Sequence, residues 1–161
     1  MKKILAAALS LTLLLAGCGS GKDTGAGVKL DAAGFTSKVV EALQETDDMV
    51  ALSDEKIGDF YDVPFDGLKK ATVYVSGTRA TSNEVCVLEL ENSEAEEKAK
   101  EVVNKRLEEQ KESYKDYIPE EYEKLNGSMT SVKVVGNNVI MVAGIDSSEV
   151  ENIVSEFISE N

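Results

Sequence analysis

Apolar residues recur along this chain with two different periods, and together they predict an α+β fold. Three segments have the i, i+3, i+4, i+7 spacing of amphipathic helices, namely residues 31–46, 93–113 and 146–158. Four short segments have the composition of strands, namely residues 71–76, 84–90, 132–135 and 139–145. The order α-ββ-α-ββ-α predicts a single antiparallel sheet of about four strands, in two hairpins, with helices packed mainly on one face.

Polar residues at the ends of these segments indicate where helices begin and where the chain turns. Ser93 and Glu96 have the spacing of a capping box, which is typical of a helix start. Gly136 opens a Gly-Asn-Asn turn between the last two strands, because glycine accepts the positive φ that a tight hairpin demands. Residues 54–60 and the segment that opens at Pro119 are expected to form two short additional helices.

The first eighteen residues have the layout of a bacterial export signal that ends in a lipidation site. Lys2 and Lys3 precede an apolar stretch of about twelve residues, which at ~1.5 Å per residue is too short for the ~30 Å core of a bilayer. The stretch ends in Leu15-Ala16-Gly17-Cys18, which resembles the lipobox, where the cysteine thiol receives a diacylglycerol and the preceding peptide bond is cut. The alternative is an ordinary signal peptide followed by an incidental cysteine.

Three regions are therefore expected. Residues 1–17 form a signal peptide, residues 18–30 hold the lipidated Cys18 and a glycine-rich flexible tether, and residues 31–161 form one α+β domain. Because two or more acyl chains such as palmitate hold a protein stably on a bilayer, membrane lipid is the first predicted partner. The protein is expected at the cell membrane, anchored by lipid and facing outside.

Charge and composition exclude several classes of function. The 161 residues include 17 Lys and Arg, 30 Asp and Glu, and no His, so the formal net charge is −13. No nucleic acid is expected as a partner, because binding the phosphate backbone needs a basic face. The lack of histidine removes Ser-His-Asp triads, Cys-His dyads and His-bound zinc.

Other candidate chemistry is sparse. Cys86 lies in a Val-Cys-Val-Leu run and is expected to be a small hydrophobic residue within a strand. Asp59, Asp62 and Asp66 lie close together in sequence but lack the D-x-D-x-D-G spacing of a calcium loop. We expect a solvated acidic loop there, and we predict no metal site, no cofactor and no catalytic residues.

Two helical positions break the expected pattern of apolar and polar residues. At 100° per residue, with Val103 at 0°, Arg106 falls at about −60° and Gln110 at about −20°, both on the apolar face. A guanidinium in a protein core needs a partner, so Arg106 is expected to meet Glu84 or Asn126. Two alternatives stay open. Arg106 lays its stem along the core edge and exposes its head, or it binds a ligand.

The chain also resembles a known family across about residues 31–160. The segments that carry the resemblance are Arg-Leu-Glu-Glu-Gln at 106–110, Tyr-Ile-Pro at 117–119, Leu-Asn at 125–126, Val-Val-Gly-Asn-Asn-Val at 134–139, and the last amphipathic helix. This family of small lipoproteins from clostridia-like Gram-positive bacteria is catalogued as domain of unknown function 4358. The residues that match its pattern are Glu84, Arg106, Gln110, Tyr117, Pro119, Asn126 and Gly136. The resemblance implies a membrane-anchored extracellular domain and implies no reaction.

Three functional hypotheses follow. The first is a non-enzymatic interaction or binding module of the cell envelope, whose partner is another protein or an envelope component. The second is a lipoprotein that binds a small ligand or solute, with Arg106 at the centre and Glu84, Gln110, Tyr117 and Asn126 as the nearby candidate residues. The third is an envelope hydrolase that uses carboxylates, with Glu84, Glu120 or Glu121 as the acid or base. A convex apolar patch would favour the interaction module, a pocket around Arg106 would favour ligand binding, and two carboxylates facing each other would favour the hydrolase.

Overall fold

The computed structural model describes residues 27–160, so the predicted signal peptide, Cys18 and most of the tether lie outside the described residues. The helices are α1 (Ala32–Gln44), α2 (Asp54–Phe60), α3 (Glu96–Lys115), α4 (Pro119–Asn126) and α5 (Ser147–Phe157), and a 3₁₀ turn (Ser93–Ala95) precedes α3. The strands are β1 (Val28–Leu30), β2 (Met49–Ala51), β3 (Leu68–Ser76), β4 (Glu84–Leu90), β5 (Thr130–Val135), β6 (Asn138–Ala143) and β7 (Ile158–Glu160). The α+β class is confirmed, and α2 and α4 are the two short helices that were expected.

The main sheet has five strands in the order β2-β3-β4-β6-β5, and every neighbouring pair is antiparallel. The two predicted hairpins are present as β3–β4 and β5–β6, and they join through β4 and β6 at the centre. The prediction of a single four-stranded sheet is wrong, because β2 adds a fifth strand and β1 pairs with β7 in a separate small sheet. Each of these three strands has only three residues, which is too short for an alternating pattern to stand out.

Helices cover both faces of the main sheet, so the expectation that they pack mainly on one face is also wrong. On one face, Cys86 and Leu88 of β4 pack with α2, α3 and α4. On the other face, Val85 and Val87 of the same strand pack with α1 and α5. The physical reason is visible in the sequence: β4 and β6 are apolar at nearly every position, which is the pattern of strands buried on both sides.

The start of α3 also differs from the prediction. The side-chain oxygen of Asn92 accepts a hydrogen bond from the Glu94 amide at 2.9 Å, and this caps the 3₁₀ turn. The helix itself begins at Glu96 with no side-chain cap, so Ser93 and Glu96 do not form a capping box. Asn92 lies one residue earlier and offers an oxygen of similar reach, which makes the box unnecessary.

The two ends of the described chain meet beside α1 and α5. Strand β1 pairs with β7 from Val28 opposite Glu160 to Leu30 opposite Ile158. The hairpin turn at Gly136 lies against β1, and it has the expected positive φ, +55°. A Cβ at Gly136 would collide with the carbonyl oxygen of Val28, so the position needs glycine for space as well as for conformation. Within residues 27–160, none of the helices combines the length and the hydropathy that a membrane span requires.

Candidate functional site

Glu84 is the centre of the candidate site. It is the first residue of β4, and its side chain lies on the sheet face that α3 covers, with 1% of the residue exposed. Burying a carboxylate costs several kcal/mol unless cations and hydrogen-bond donors compensate it. The surrounding residues must therefore supply such partners.

Arg106 supplies the charge that Glu84 needs. Its Nε donates to Oε1 of Glu84 at 3.0 Å and its Nη2 donates to Oε2 at 2.6 Å, which is the paired geometry that a guanidinium forms with a carboxylate. The guanidinium carbon also lies 4.7 Å from the centre of the Phe60 ring, where the ring face attracts a cation. Of the partners that the sequence left open, Glu84 is therefore the one that the structure shows.

Two neutral side chains complete the shell of donors around the carboxylate. Gln110, one turn after Arg106 on α3, donates its Nε2 to Oε2 of Glu84 at 2.7 Å. Tyr61, which follows α2, donates its hydroxyl to Oε1 at 2.5 Å. Each oxygen of Glu84 thus accepts two hydrogen bonds, so the surrounding donors occupy all of the usual acceptor positions of the carboxylate.

Burial and neighbouring groups shift the pKa values of three residues in this cluster. Burial alone would lower the pKa of Arg106, but the hydrogen bond and the charge of Glu84 outweigh it and raise that pKa above its usual value. Burial, together with neighbouring Cys86 and Glu84, raises the pKa of Tyr61 well above its usual value. Burial likewise raises the pKa of the Cys86 thiol, which therefore stays protonated and unreactive at neutral pH. As predicted, Cys86 is a free, buried cysteine within a strand.

A cavity of about 640 Å³ lies beside this cluster. Its walls come from β2, α2, the end of β3, the loop 77–83, the start of β4, α3 and the segment that leads to α4. Gln110 lines this cavity, is 5% exposed, and has a buried side-chain oxygen with no hydrogen-bond partner. The volume is within the range of about 300–1,000 Å³ that is usual for small-molecule sites.

The loop 77–83 forms one wall of the cavity and is fixed by hydrogen bonds to other elements. Asp47 accepts hydrogen bonds from the hydroxyls of Thr78, at 3.3 Å, and of Thr81. Burial would raise the pKa of Asp47, but these hydroxyls help to hold it below its usual value. The hydroxyl of Tyr114, on α3, donates to the Thr81 carbonyl oxygen at 2.5 Å.

Glu121 anchors the other end of the same loop. Its Oε2 accepts from the backbone N–H of Ser82 at 2.8 Å and from the Ser82 hydroxyl at 2.9 Å, while its Oε1 accepts from Lys124 at 2.5 Å. Burial would raise the pKa of Glu121, but the bonds from Lys124 and Ser82 outweigh it and hold that pKa below its usual value. Glu121 is a structural carboxylate, and neither it nor Glu120 lines the cavity.

The structure brings together four of the five residues that the sequence singled out for binding. Glu84, Arg106, Gln110 and Tyr117 all line the cavity, with Tyr117 88% exposed at its rim. Asn126 does not, because it is an exposed residue near the end of α4 whose side chain donates to the Tyr122 carbonyl oxygen at 2.8 Å.

Sequence reasoning missed three residues of this site. They are Tyr61, which donates to Glu84, Phe60, which lies against Arg106, and Arg79, which lies in the loop 77–83 and lines the cavity. A buried carboxylate at Glu84 indicates that further donors are needed, but nothing in the sequence distinguishes Tyr61 from the other four tyrosines. Arg79 had a usable signal, since it is one of only two arginines in the chain.

The acidic residues before β3 do not gather into one site. Asp59 pairs with Lys56, and Asp62 pairs with Lys105 of α3. Hydrogen bonding to Lys105 lowers the pKa of Asp62. In the part of the chain that the structure describes, no three side chains of the metal-binding types come close enough together to hold an ion.

The comparison with protein families places the chain. The family model described as domain of unknown function DUF4358 matches residues 41–144, more than half of the chain, and the protein belongs to this family. The matched segment contains all residues that line the cavity, whereas β1, most of α1, α5 and β7 lie outside it. No curated protein and no solved structure matched the chain.

Proposed function

We propose that this protein is a lipid-anchored binding module of the cell envelope that holds a small ligand in the cavity beside Arg106 and Gln110. The observation that carries the proposal is the unpartnered, buried side-chain oxygen of Gln110. The amide cannot turn over to satisfy it, because the oxygen would then lie where Nε2 now lies, 2.7 Å from an oxygen of Glu84. An unpaired buried acceptor costs about 1–3 kcal/mol, and a bound molecule with an N–H or O–H group would recover that cost.

The lining supports binding better than hydrolysis. Two carboxylates line the cavity, Asp59 and Glu84, and a basic residue neutralises each of them. A general acid or base must exchange a proton with the substrate, and Glu84 is fully occupied by its own donors. The hydrolase hypothesis therefore has no support in this cavity.

The exposed apolar residues also favour a cavity ligand over a flat protein interface. Among residues 27–160, the large hydrophobic side chains that stand exposed are Val50, at 45%, and Tyr117, at 88%. Both line the same cavity, so they contribute apolar surface to its opening and do not form a separate patch elsewhere. Aromatic and aliphatic groups around a few polar atoms are the usual lining of a small-molecule site.

The anchor is the second part of the proposal and rests on the Leu-Ala-Gly-Cys sequence at 15–18. The Cys18→Ala substitution removes the thiol that would carry the lipid. It is expected to abolish incorporation of a labelled fatty acid, so that no processed, lipidated protein is recovered in the membrane fraction. Cys86→Ala is the matched control, because Cys86 is buried and inaccessible to the acylating enzyme. Unchanged lipid labelling of the Cys18→Ala variant would refute the anchor.

The binding proposal is tested with the full lipidated chain in a neutral detergent and a library of small fragments. Thermal shift and ligand-observed NMR are expected to find fragments that carry N–H or O–H donors, and Gln110→Met is expected to abolish their binding. Asn104→Met, at an exposed position of α3 outside the cavity, is the matched control and should bind as the wild type does. The proposal fails if no fragment binds, or if a crystal structure shows only an ordered water on the Gln110 oxygen.

A further inference from the structure

Both arginines of this chain line the same cavity, although the chain as a whole carries a net charge of −13. Arg106 is neutralised by Glu84, and Lys56, a third cation in the lining, is neutralised by Asp59 with an Nζ–Oδ2 distance of 2.9 Å. Arg79 makes no ion pair with any residue in the described range 27–160. Once the internal pairs cancel, the lining retains one positive charge, and it belongs to Arg79.

The backbone of Arg79, an exposed residue, is held in an uncommon conformation. Its φ is +59°, and it is the one non-glycine residue in the described range with a positive φ. The left-handed region is unfavourable for a residue with a Cβ, and such residues persist where the surroundings fix them, often at ligand sites. Here the Arg79 amide donates to the Ser76 hydroxyl at 3.0 Å, and Asp47 fixes the threonines on either side.

From these observations, and resting on the proposed function, we infer that the ligand is a small monocarboxylate that also carries a neutral N–H or O–H donor. The carboxylate pairs with the guanidinium of Arg79, whose planar donors match its two oxygens. The neutral donor satisfies the buried oxygen of Gln110. The apolar body of the molecule lies against Phe60, Leu52 and the exposed ring of Tyr117.

The charge count selects a singly charged anion. One unpaired guanidinium balances one negative charge, and every further negative charge would be added to a protein that already carries an excess of 13. A phosphate dianion therefore fits this lining less well than a carboxylate. Orthophosphate belongs in the experiment as the competing anion.

The test uses matched sets of small molecules with the full lipidated chain in a neutral detergent, measured by calorimetry and ligand-observed NMR. Each set contains a 2-hydroxy acid with an aromatic or aliphatic side chain, its amide, which lacks the charge, and its deoxy acid, which lacks the donor. The hydroxy acids are expected to bind, the amides to bind at least about tenfold more weakly, and the deoxy acids about five- to tenfold more weakly. Higher ionic strength should weaken the binding of the acids and leave the binding of the amides unchanged.

Three variants connect the binding to named residues. Arg79→Gln should weaken the binding of the acids about tenfold or more and leave the affinity for the amides unchanged. The affinity of Arg79→Lys for the acids should lie between that of Arg79→Gln and that of the wild type, because lysine lacks the planar fork of donors. Lys38→Gln removes the same charge from α1, on the opposite side of the sheet, and should change neither affinity. Thermal unfolding of each variant shows that the fold is intact.

The possible outcomes separate this inference from the function on which it rests. If neutral molecules bind as well as acids, independently of Arg79 but dependent on Gln110, the cavity is a binding site and the carboxylate assignment is wrong. If orthophosphate binds more tightly than the hydroxy acids and its binding needs Arg79, the assignment of the ligand as a monocarboxylate is wrong, while the role of Arg79 in binding an anion stands. If nothing in the sets or in the fragment library binds, both proposals fail.

Discussion

Removing the charge of Arg106 is expected to destabilise the protein severely. Arg106→Met keeps a side chain of similar reach but leaves Glu84, which is 1% exposed, with only Tyr61 and Gln110 as donors. Breaking a buried ion pair from one side costs about 3–5 kcal/mol, because the remaining charge stays in the core. For a domain with about 5–15 kcal/mol of stability, this corresponds to a fall in Tm of roughly 10–20 °C.

The measurement is urea unfolding at pH 7, followed by circular dichroism, with two further variants as comparisons. Replacing both charges, in Glu84→Gln with Arg106→Met, should recover part of the lost stability, because the uncompensated charge is gone while the neutral amide at position 84 can still pair with Tyr61 and Gln110. Lys100→Met breaks an ion pair on the same helix with a 2.5 Å contact to Glu96, but both side chains are more than a quarter exposed. It should cost less than about 1 kcal/mol.

One result would refute this reasoning. If Arg106→Met shifts the urea midpoint no further than Lys100→Met does, then Arg106 does not neutralise a buried carboxylate in solution. A double variant that is less stable than Arg106→Met alone would also contradict it, because the remaining charge would then not be the source of the cost.

Three further predictions can be checked with the same unfolding assay. Gln110→Met removes one donor to the buried carboxylate and also one unpartnered acceptor, two effects of about 1–3 kcal/mol with opposite sign, so ligand-free stability should change by less than about 1 kcal/mol; a larger loss would mean that the amide oxygen is paired in solution. Since the bond from Lys124 helps to lower the pKa of Glu121 below 4.5, Glu121→Gln should reduce stability at pH 7, and its deficit should shrink as the pH falls below about 4.5 and through the folded pKa; a deficit independent of pH would contradict this linkage. Gly136→Ala meets both a positive φ and the carbonyl oxygen of Val28, and should cost at least about 1 kcal/mol, whereas Gly58→Ala, with an ordinary φ and only a van der Waals contact of 3.7 Å to the Val63 carbonyl oxygen, should not.

Much of the candidate site could be predicted because its geometry is local. Arg106 and Gln110 are four residues apart on one helix, and the fixed angle per residue places both on its buried face. A strand that begins at an acidic residue and continues with apolar ones made Glu84 one of two candidate partners for Arg106, with Asn126 as the other. Asn126 lies outside the cavity because its position depends on how α4 packs against α3, which no local pattern encodes.

The rest of the site depends on contacts between distant parts of the chain. Tyr61 reaches Glu84 across 23 positions, and nothing near either residue specifies that distance. The three-residue strands have the same limit, because β2 exists only through its pairing with β3 and β1 only through its pairing with β7. The second layer of helices, by contrast, was predictable from the unbroken apolar runs of β4 and β6.

The pairing of β1 with β7 determines where the chain enters the domain. Strand β1 packs with α1 and α5, on the far side of the main sheet from the cavity. A chain fixed to lipid through Cys18 would therefore arrive at the back of the domain. On such an anchor, the mouth beside Tyr117 would lie on the opposite face of the domain from the point where the tether joins it.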